Sequence, residues 1–208
     1  VTKKFNEFFL VDLKNQENSG NTKRFLCKVR KSLNFKDQLE EIHNIRVIGG
    51  LDKLDKFDRN EIVLIIAIGD NDKRKKVYED LVKEGYKFTS IIHPTAHISK
   101  VNVEIGDAVF IGAQSIIMSD VSIGKNTVIY SGGIIEHETI INNHCFISPG
   151  VKIAGRVKVE NSVKIGIGSN IIENLTIGKN SIIGAGSVVV KSIPNYVKVA
   201  GVPAKALK

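Results

Sequence analysis

The sequence predicts two architectures in series: an α/β N-terminal domain with a short parallel sheet, then an all-β domain of short strands wound into a parallel coil. Three features predict this. From Ile105 onward every sixth position as far as Val189 is aliphatic, fifteen in fifteen, in a chain that is 42% hydrophobic. A six-residue period sustained over that distance fits neither an amphipathic helix nor a simple alternating strand, and is the mark of a hexapeptide-repeat parallel β-helix. Ahead of the ladder, Ile62 to Gly69 is an almost wholly apolar run, suited to a strand covered on both faces. Directly after that run, Asp70 or Asn71 can cap a helix in which Val77, Leu81 and Val82 recur at helical spacing and Gly85 supplies the stop.

In the N-terminal domain, taken as residues 1–92, the run at 62–69 reads as the central strand, with Ile45 to Gly50 before it and Phe88 to Ile92 after it. The order strand, helix, strand implies a right-handed crossover and an open, partly parallel sheet. Ligands of such sheets bind beyond the carboxyl ends of the strands, where a helix N-terminus offers N–H groups to an anion. Gly69 and Asn71 fall there, and Arg74, one turn into the helix, can add a charge toward a phosphate or simply sit solvated. Phe8 to Leu13 reads as a first strand. No glycine precedes Gly20, so a dinucleotide-type glycine loop is missing, and Ser19 to Arg24 is the only replacement.

In the second domain, residues 93–208, fifteen hexapeptides make about five coils of three strands each, a prism about 24 Å tall at the usual strand spacing. The ladder points inward. Two positions earlier the residues are small or β-branched (Val109, Ser115, Val121, Thr127, Cys145, Ser169), as a narrow interior requires. Glycine is frequent just after the ladder residue (Gly106, Gly112, Gly124, Gly166, Gly178, Gly184), which suggests tight corners. With almost no insertions between coils, a reactive site must be built from turn residues, and an enclosed pocket needs a neighbouring subunit.

The formal charge of +8 is spread singly along the chain rather than in blocks, and with no Trp and few aromatics it argues against nucleic acid as a partner. Cys27 and Cys145 fall in different domains, so a reducing, cytoplasmic location is the simpler expectation. No apolar run approaches the roughly 20 residues that span a bilayer, and the first residues do not resemble an export signal.

Among candidates for chemistry, Ile135-Glu136-His137-Glu138 is the one titratable cluster that interrupts the apolar and small-residue rhythm. With Ile135 inward, His137 falls at a corner, and a carboxylate beside an imidazole is the minimal general base. Cys145 is expected to be an inert interior filler. Of the five histidines only His137 and His144 lie in the ladder region, too few for a zinc site, so no catalytic metal is expected.

Three stretches, IAIGDNDKRK at Ile66 to Lys75, IIHPTA at Ile91 to Ala96 and SGGIIEHETIINNHCFISPGVKIAG at Ser131 to Gly155, with the terminal GVPAKAL, resemble a sugar acyltransferase family. That family includes sialic acid O-acetyltransferases and the amino-sugar N-acetyltransferases of the bacillosamine pathway. The resemblance covers about residues 45 to 208 and implies a left-handed coil and a homotrimer that binds acetyl-CoA between prisms. It also implies a UDP-amino sugar or similar acceptor on the N-terminal domain. It makes His137 the general base and Glu138 the residue that raises its basicity. It assigns Gly155 to the oxyanion, and Ile167 and Ala185 to the pantetheine groove. Gly69, Asn71 and Arg74 match its substrate crevice, and Lys191, Lys198, Lys205 and Lys208 near the open end can meet CoA phosphates or simply keep the surface soluble. Two departures stand out: Phe146 occupies the position of a frequent second histidine, with His144 two residues earlier, and the glycine loop after the first strand is absent. The expectation is acetyl-CoA-dependent N-acetylation of a nucleotide-linked amino sugar. The alternatives are O-acetylation of a sugar, sialic acid or serine, and a trimeric binding scaffold that has lost its activity.

Overall fold

In the computed structural model the described residues are 8–13, 24–30, 41–42, 45–49, 51–60 and 62–207. The chain divides into two compact units, 1–89 and 90–208. The sequence-predicted loop at 19–23 and His43 lie outside the described residues.

Among its described residues the first unit carries a five-stranded sheet. Strands β1 (Phe8–Leu13), β2 (Arg24–Arg30), β3 (Glu41–Ile42), β4 (Ile45–Gly49) and β5 (Ile62–Ala67) lie in the order β3-β4-β1-β2-β5. The β2–β5 pair is parallel, and the pairs among β1, β2, β3 and β4 are antiparallel. β5 therefore ends the strand order instead of sitting at its centre, although Ile62, Val63 and Leu64 are buried. Its apolarity has a different source: helix α1 (Asn71–Lys83) and Phe88 return beside it, with Phe88 bridging Leu64 in parallel, and Leu54, Leu81 and Tyr86 share the same core. Asp70 is the helix cap, its carboxylate accepting from Lys73 N at 2.9 Å, and Gly85, at φ +85°, provides the exit. The buried helix face is Arg74, Tyr78 and Leu81, whereas Val82 is exposed.

The second unit is a left-handed parallel β-helix, a three-faced prism. Two-residue strands stack with their equivalents 18 residues away, Ile129 on Ile147 and Ile135 on Ile153, for example. Every ladder residue from Ile111 to Val189 is at most 3% exposed. Burial of each such aliphatic side chain stabilises by about 1.5–3 kcal/mol, so the ladder is the core. The small residues two positions earlier also point inward. Their hydroxyls are satisfied by carbonyls 15 residues on: Ser115 to Tyr130 O, Thr127 to Asn142 O, Thr139 to Ala154 O, Ser169 to Gly184 O.

The prism has about six coils, one more than the uninterrupted ladder implies. Ile92 pairs with Ile111 and Ile98 with Ile117, so a first coil precedes Ile105, and His93 and His97 belong to it. One extra residue between Ile98 and Ile105 breaks the phase and hides it. At the other end Ile193 bridges Ile177 and Val199 pairs with Ile183, continuing the core after a two-residue shortening beyond Val189. The strand expected from Phe88 to Ile92 is thus two features, since Ile91 and Ile92 pair within the prism.

The corners also differ from expectation. Left-handed backbone falls three residues after each ladder position from Ile105 to Ile183, at Ala108, Gln114, Asp120, Asn126, Glu138, His144, Arg156, Ser162, Asn174 and Asn180, with glycine at 132, 150, 168 and 186. The glycines just after the ladder do not adopt it; they are there for space. A Cβ at Gly112 would lie 2.6 Å from Ser131 N, and one at Gly166 2.5 Å from Ala185 N. Among the described residues, no helix is long and apolar enough to cross a membrane.

Candidate active site

Ile135 points into the core, so the next three residues form the corner between the second prism face (Ile117, Ile135, Ile153) and the third (Ile123, Ile141, Val159). Glu138 takes the left-handed conformation, φ +57°. That turn brings two sequential side chains together: His137 Nδ1 and Glu138 Oε2 are 3.0 Å apart. Nδ1 engaged with the carboxylate fixes the tautomer in which Nε2 is the lone-pair nitrogen. Both side chains are about half exposed, so Nε2 is accessible.

One coil on, the residue stacked on His137 is Gly155. A Cβ there would come within 2.7 Å of both Cε1 and Nε2 of the ring, so the imidazole occupies the space that any other residue would fill. Among the described residues the Gly155 N–H donates no hydrogen bond, while its carbonyl accepts from Asn174 N at 3.2 Å. An acceptor nitrogen and an uncommitted amide donor therefore lie side by side. This is the pairing that acyl transfer needs, one group to take a proton and one to meet an oxyanion.

Ile167 and Ala185 are exposed and stack on each other one coil apart, with Gly186 N donating to Ile167 O at 2.8 Å. They lie on the corner between the first face (Ile129, Ile147, Ile165) and the second, so within one chain they are not brought to His137 and Gly155. Lys191, Lys198 and Lys205 are exposed, and Lys208 lies outside the described residues.

In the first unit, Gly69 is exposed and has no atom within 4 Å of where a Cβ would stand. Arg74 is neither solvated nor turned outward. It is fully buried, with Nη1 donating to Ile68 O at 3.2 Å and Nη2 bonded to Asn71 Oδ1, so the charge is held at the turn between β5 and α1. Cys145 is buried, with Sγ 3.1 Å from Glu160 O. His144 is buried at another corner against Asn126 at 2.9 Å. Phe146 packs on Tyr130 with ring centroids 5.3 Å apart, and Lys164 Nζ stands 5.7 Å over its ring. Among the described residues no group of three or more His, Cys, Asp or Glu is placed to hold a metal ion.

Two site-adjacent residues escaped the sequence reading. Arg156 Nη1 donates to Glu138 Oε2 at 3.4 Å, and Arg156 Nε to Asn174 Oδ1 at 2.8 Å. The signal that finds them is the 18-residue coil period, three ladder steps, which puts 138, 156 and 174 on one corner.

The bacterial transferase hexapeptide model (six repeats) matches residues 102–137 and 156–191, and the PglD N-terminal domain model matches 31–81. A variant of GDP-perosamine N-acetyl transferase from Caulobacter crescentus, solved with CoA and GDP-perosamine, is 32% identical, with a TM-score of 0.75 over 78% of this chain and 77% of that one. The chain belongs to the hexapeptide-repeat sugar acyltransferases. The acetyltransferase domain of PglB from Neisseria gonorrhoeae is 26% identical, with a TM-score of 0.78 over 84% and 85% of the two chains. WeeI from Acinetobacter baumannii is 29% identical, at 0.75 over 80% of each. As a hexapeptide acyltransferase, the protein is an enzyme of acyl transfer with a left-handed prism as its chassis.

Proposed function

We propose that the protein transfers the acetyl group of acetyl-CoA directly to the amine of a nucleotide-linked amino sugar, with His137 as general base. The observation that carries this reading is the placement of His137 Nε2 against Gly155, whose amide is uncommitted. The acceptor nitrogen attacks the thioester carbonyl carbon while Nε2 takes its proton. The Gly155 N–H meets the oxyanion of the tetrahedral intermediate. Collapse then breaks the carbon–sulfur bond, and the imidazolium returns the proton to the leaving CoA thiolate. Glu138 holds the ring and balances its transient charge. The similar GDP-perosamine N-acetyl transferase, solved with CoA and a nucleotide amino sugar, supports both substrate classes.

The acyl donor is assigned to the exposed surface that carries Ile167 and Ala185. Because that surface lies on another corner from His137, a second copy of the chain completes the site, and a homotrimer is the assembly proposed. The acceptor's nucleotide is assigned to the turn at Gly69 and Asn71, where Arg74 orients the Asn71 amide and adds positive charge at a helix N-terminus.

The test is an acceptor panel with acetyl-CoA, reading release of free CoA: nucleotide-linked amino sugars, the same sugars without the nucleotide, and hydroxyl counterparts. Turnover confined to nucleotide-linked amines supports the proposal. Equal or better turnover on hydroxyl acceptors overturns N-acetylation, and no turnover on any acceptor favours a binding scaffold.

A further inference from the structure

We propose that Arg156 is a positioning residue for the reaction, the middle of a polar relay His137–Glu138–Arg156–Asn174 that climbs one prism corner and holds the base through its carboxylate. The inference rests on His137 being the base. The carboxylate that orients His137 is itself half exposed and on a flexible side chain, and within residues 135–139 its hydrogen bond is the one to the ring it has to orient. Arg156, 18 residues on, supplies a second restraint. Its Nη1 donates to Glu138 Oε2, the same oxygen that faces His137 Nδ1. The guanidinium is held in turn by Asn174, which accepts from Nε at 2.8 Å.

The backbone makes this geometry reproducible. Glu138, Arg156 and Asn174 share left-handed conformations, φ +57°, +57° and +61°, and so project alike from three successive coils. Arg156 N donates to His137 O at 2.9 Å and Asn174 N to Gly155 O at 3.2 Å. Asn174 therefore braces both the guanidinium by its side chain and the oxyanion-donor residue by its main chain. Only an arginine offers two donors in a fixed fork to reach a carboxylate on one side and an amide on the other.

An exposed ion pair of this kind adds little to stability. Its value lies in orientation, where a misplacement of about 1 Å of a reacting group costs up to about a hundredfold in rate. Other charged groups near this corner include Asp120, one coil below Glu138 and hydrogen-bonded by Asn102, Glu136 beside the base, Glu173 beside Asn174, and Lys158, which pairs with Glu160; the ion pair of Arg156 among the described residues is with Glu138.

The experiment compares kcat and KM for acetyl-CoA and acceptor in wild type, Arg156→Met, Arg156→Lys, Glu138→Ala, the double variant Arg156→Met/Glu138→Ala, and His137→Ala, with thermal melts of each. Arg156→Met is expected to lower kcat about tenfold with both KM values and the melt unchanged, and Arg156→Lys to recover part of the loss. In the Glu138→Ala background Arg156→Met should cost nothing further, because the acceptor that joins Arg156 to His137 is gone. Wild-type kcat in Arg156→Met, or an equal loss in both backgrounds, overturns the relay. If His137→Ala retains wild-type turnover, the base assignment fails instead, so the two failures are told apart.

Discussion

Replacing Gly155 by alanine separates the catalytic use of this prism from its structural use. The added methyl would stand 2.7 Å from Cε1 and Nε2 of His137, about 0.7 Å short of the 3.4 Å at which ordinary contact begins. The obstacle is a half-exposed side chain, not backbone, so the ring swings away and the coils keep their spacing. Displacement of the base by nearly 1 Å is expected to lower kcat about tenfold to a hundredfold, with the melting temperature within about 2 °C of wild type. Gly112→Ala is the matched control. There the methyl meets Ser131 N at 2.6 Å and Tyr130 C at 3.0 Å, main-chain atoms of the next coil that cannot move independently. Overpacking of this kind costs about 1–3 kcal/mol, so Gly112→Ala should melt early while its folded fraction turns over at a near-normal rate. Steady-state kinetics beside differential scanning fluorimetry read both quantities. Full activity in Gly155→Ala with an unchanged melt would refute the placement of the imidazole against residue 155.

Gly69→Ala meets open space in the first unit, so it should leave the melt unchanged and raise KM for the acceptor alone; an unaltered acceptor KM would remove that turn from the acceptor site. Ile147→Ala, at a fully buried ladder position, should destabilise by about 2–5 kcal/mol in chemical denaturation. Glu160 has its carboxyl held below the usual range chiefly by its hydrogen bond to Lys158, at 2.8 Å, with Asn142 and the charge of Lys179 helping. A depressed carboxyl stabilises the fold above its unfolded pKa and loses that contribution as pH falls through the folded one. Glu160→Gln should thus cost at most about 1 kcal/mol at neutral pH for a surface pair whose lysine is half exposed, with the difference vanishing in acid.

How much of this was legible depends on how strongly each residue is constrained. The ladder was plain because an interior about one side chain wide accepts an aliphatic residue at one register only, and a slip would expose the whole core. Its ends were not, since a seven-residue step from Ile98 to Ile105 and a four-residue step from Val189 to Ile193 break the count without breaking the pairing. The His137–Glu138 pair could be read because the two residues are adjacent, whereas Arg156 and Asn174 reach the site through a coil period that single-residue motifs do not display. Glycine misled because it answers two demands. At 112 and 166 it yields room to the next coil, and at 132 and 150 it takes left-handed backbone. Arg74 misled for another reason. Buried guanidinium groups are rare, and this one is met by the Ile68 carbonyl and by Asn71.

The most direct trial of the central claim is turnover by His137→Ala set against its affinity for acetyl-CoA, measured calorimetrically on the same preparation. Loss of the base should lower kcat by about a hundredfold to ten-thousandfold while CoA binding stays within about twofold of wild type. Unchanged turnover with intact binding would contradict the account, because the proton would then be leaving the acceptor by a route that does not involve this imidazole.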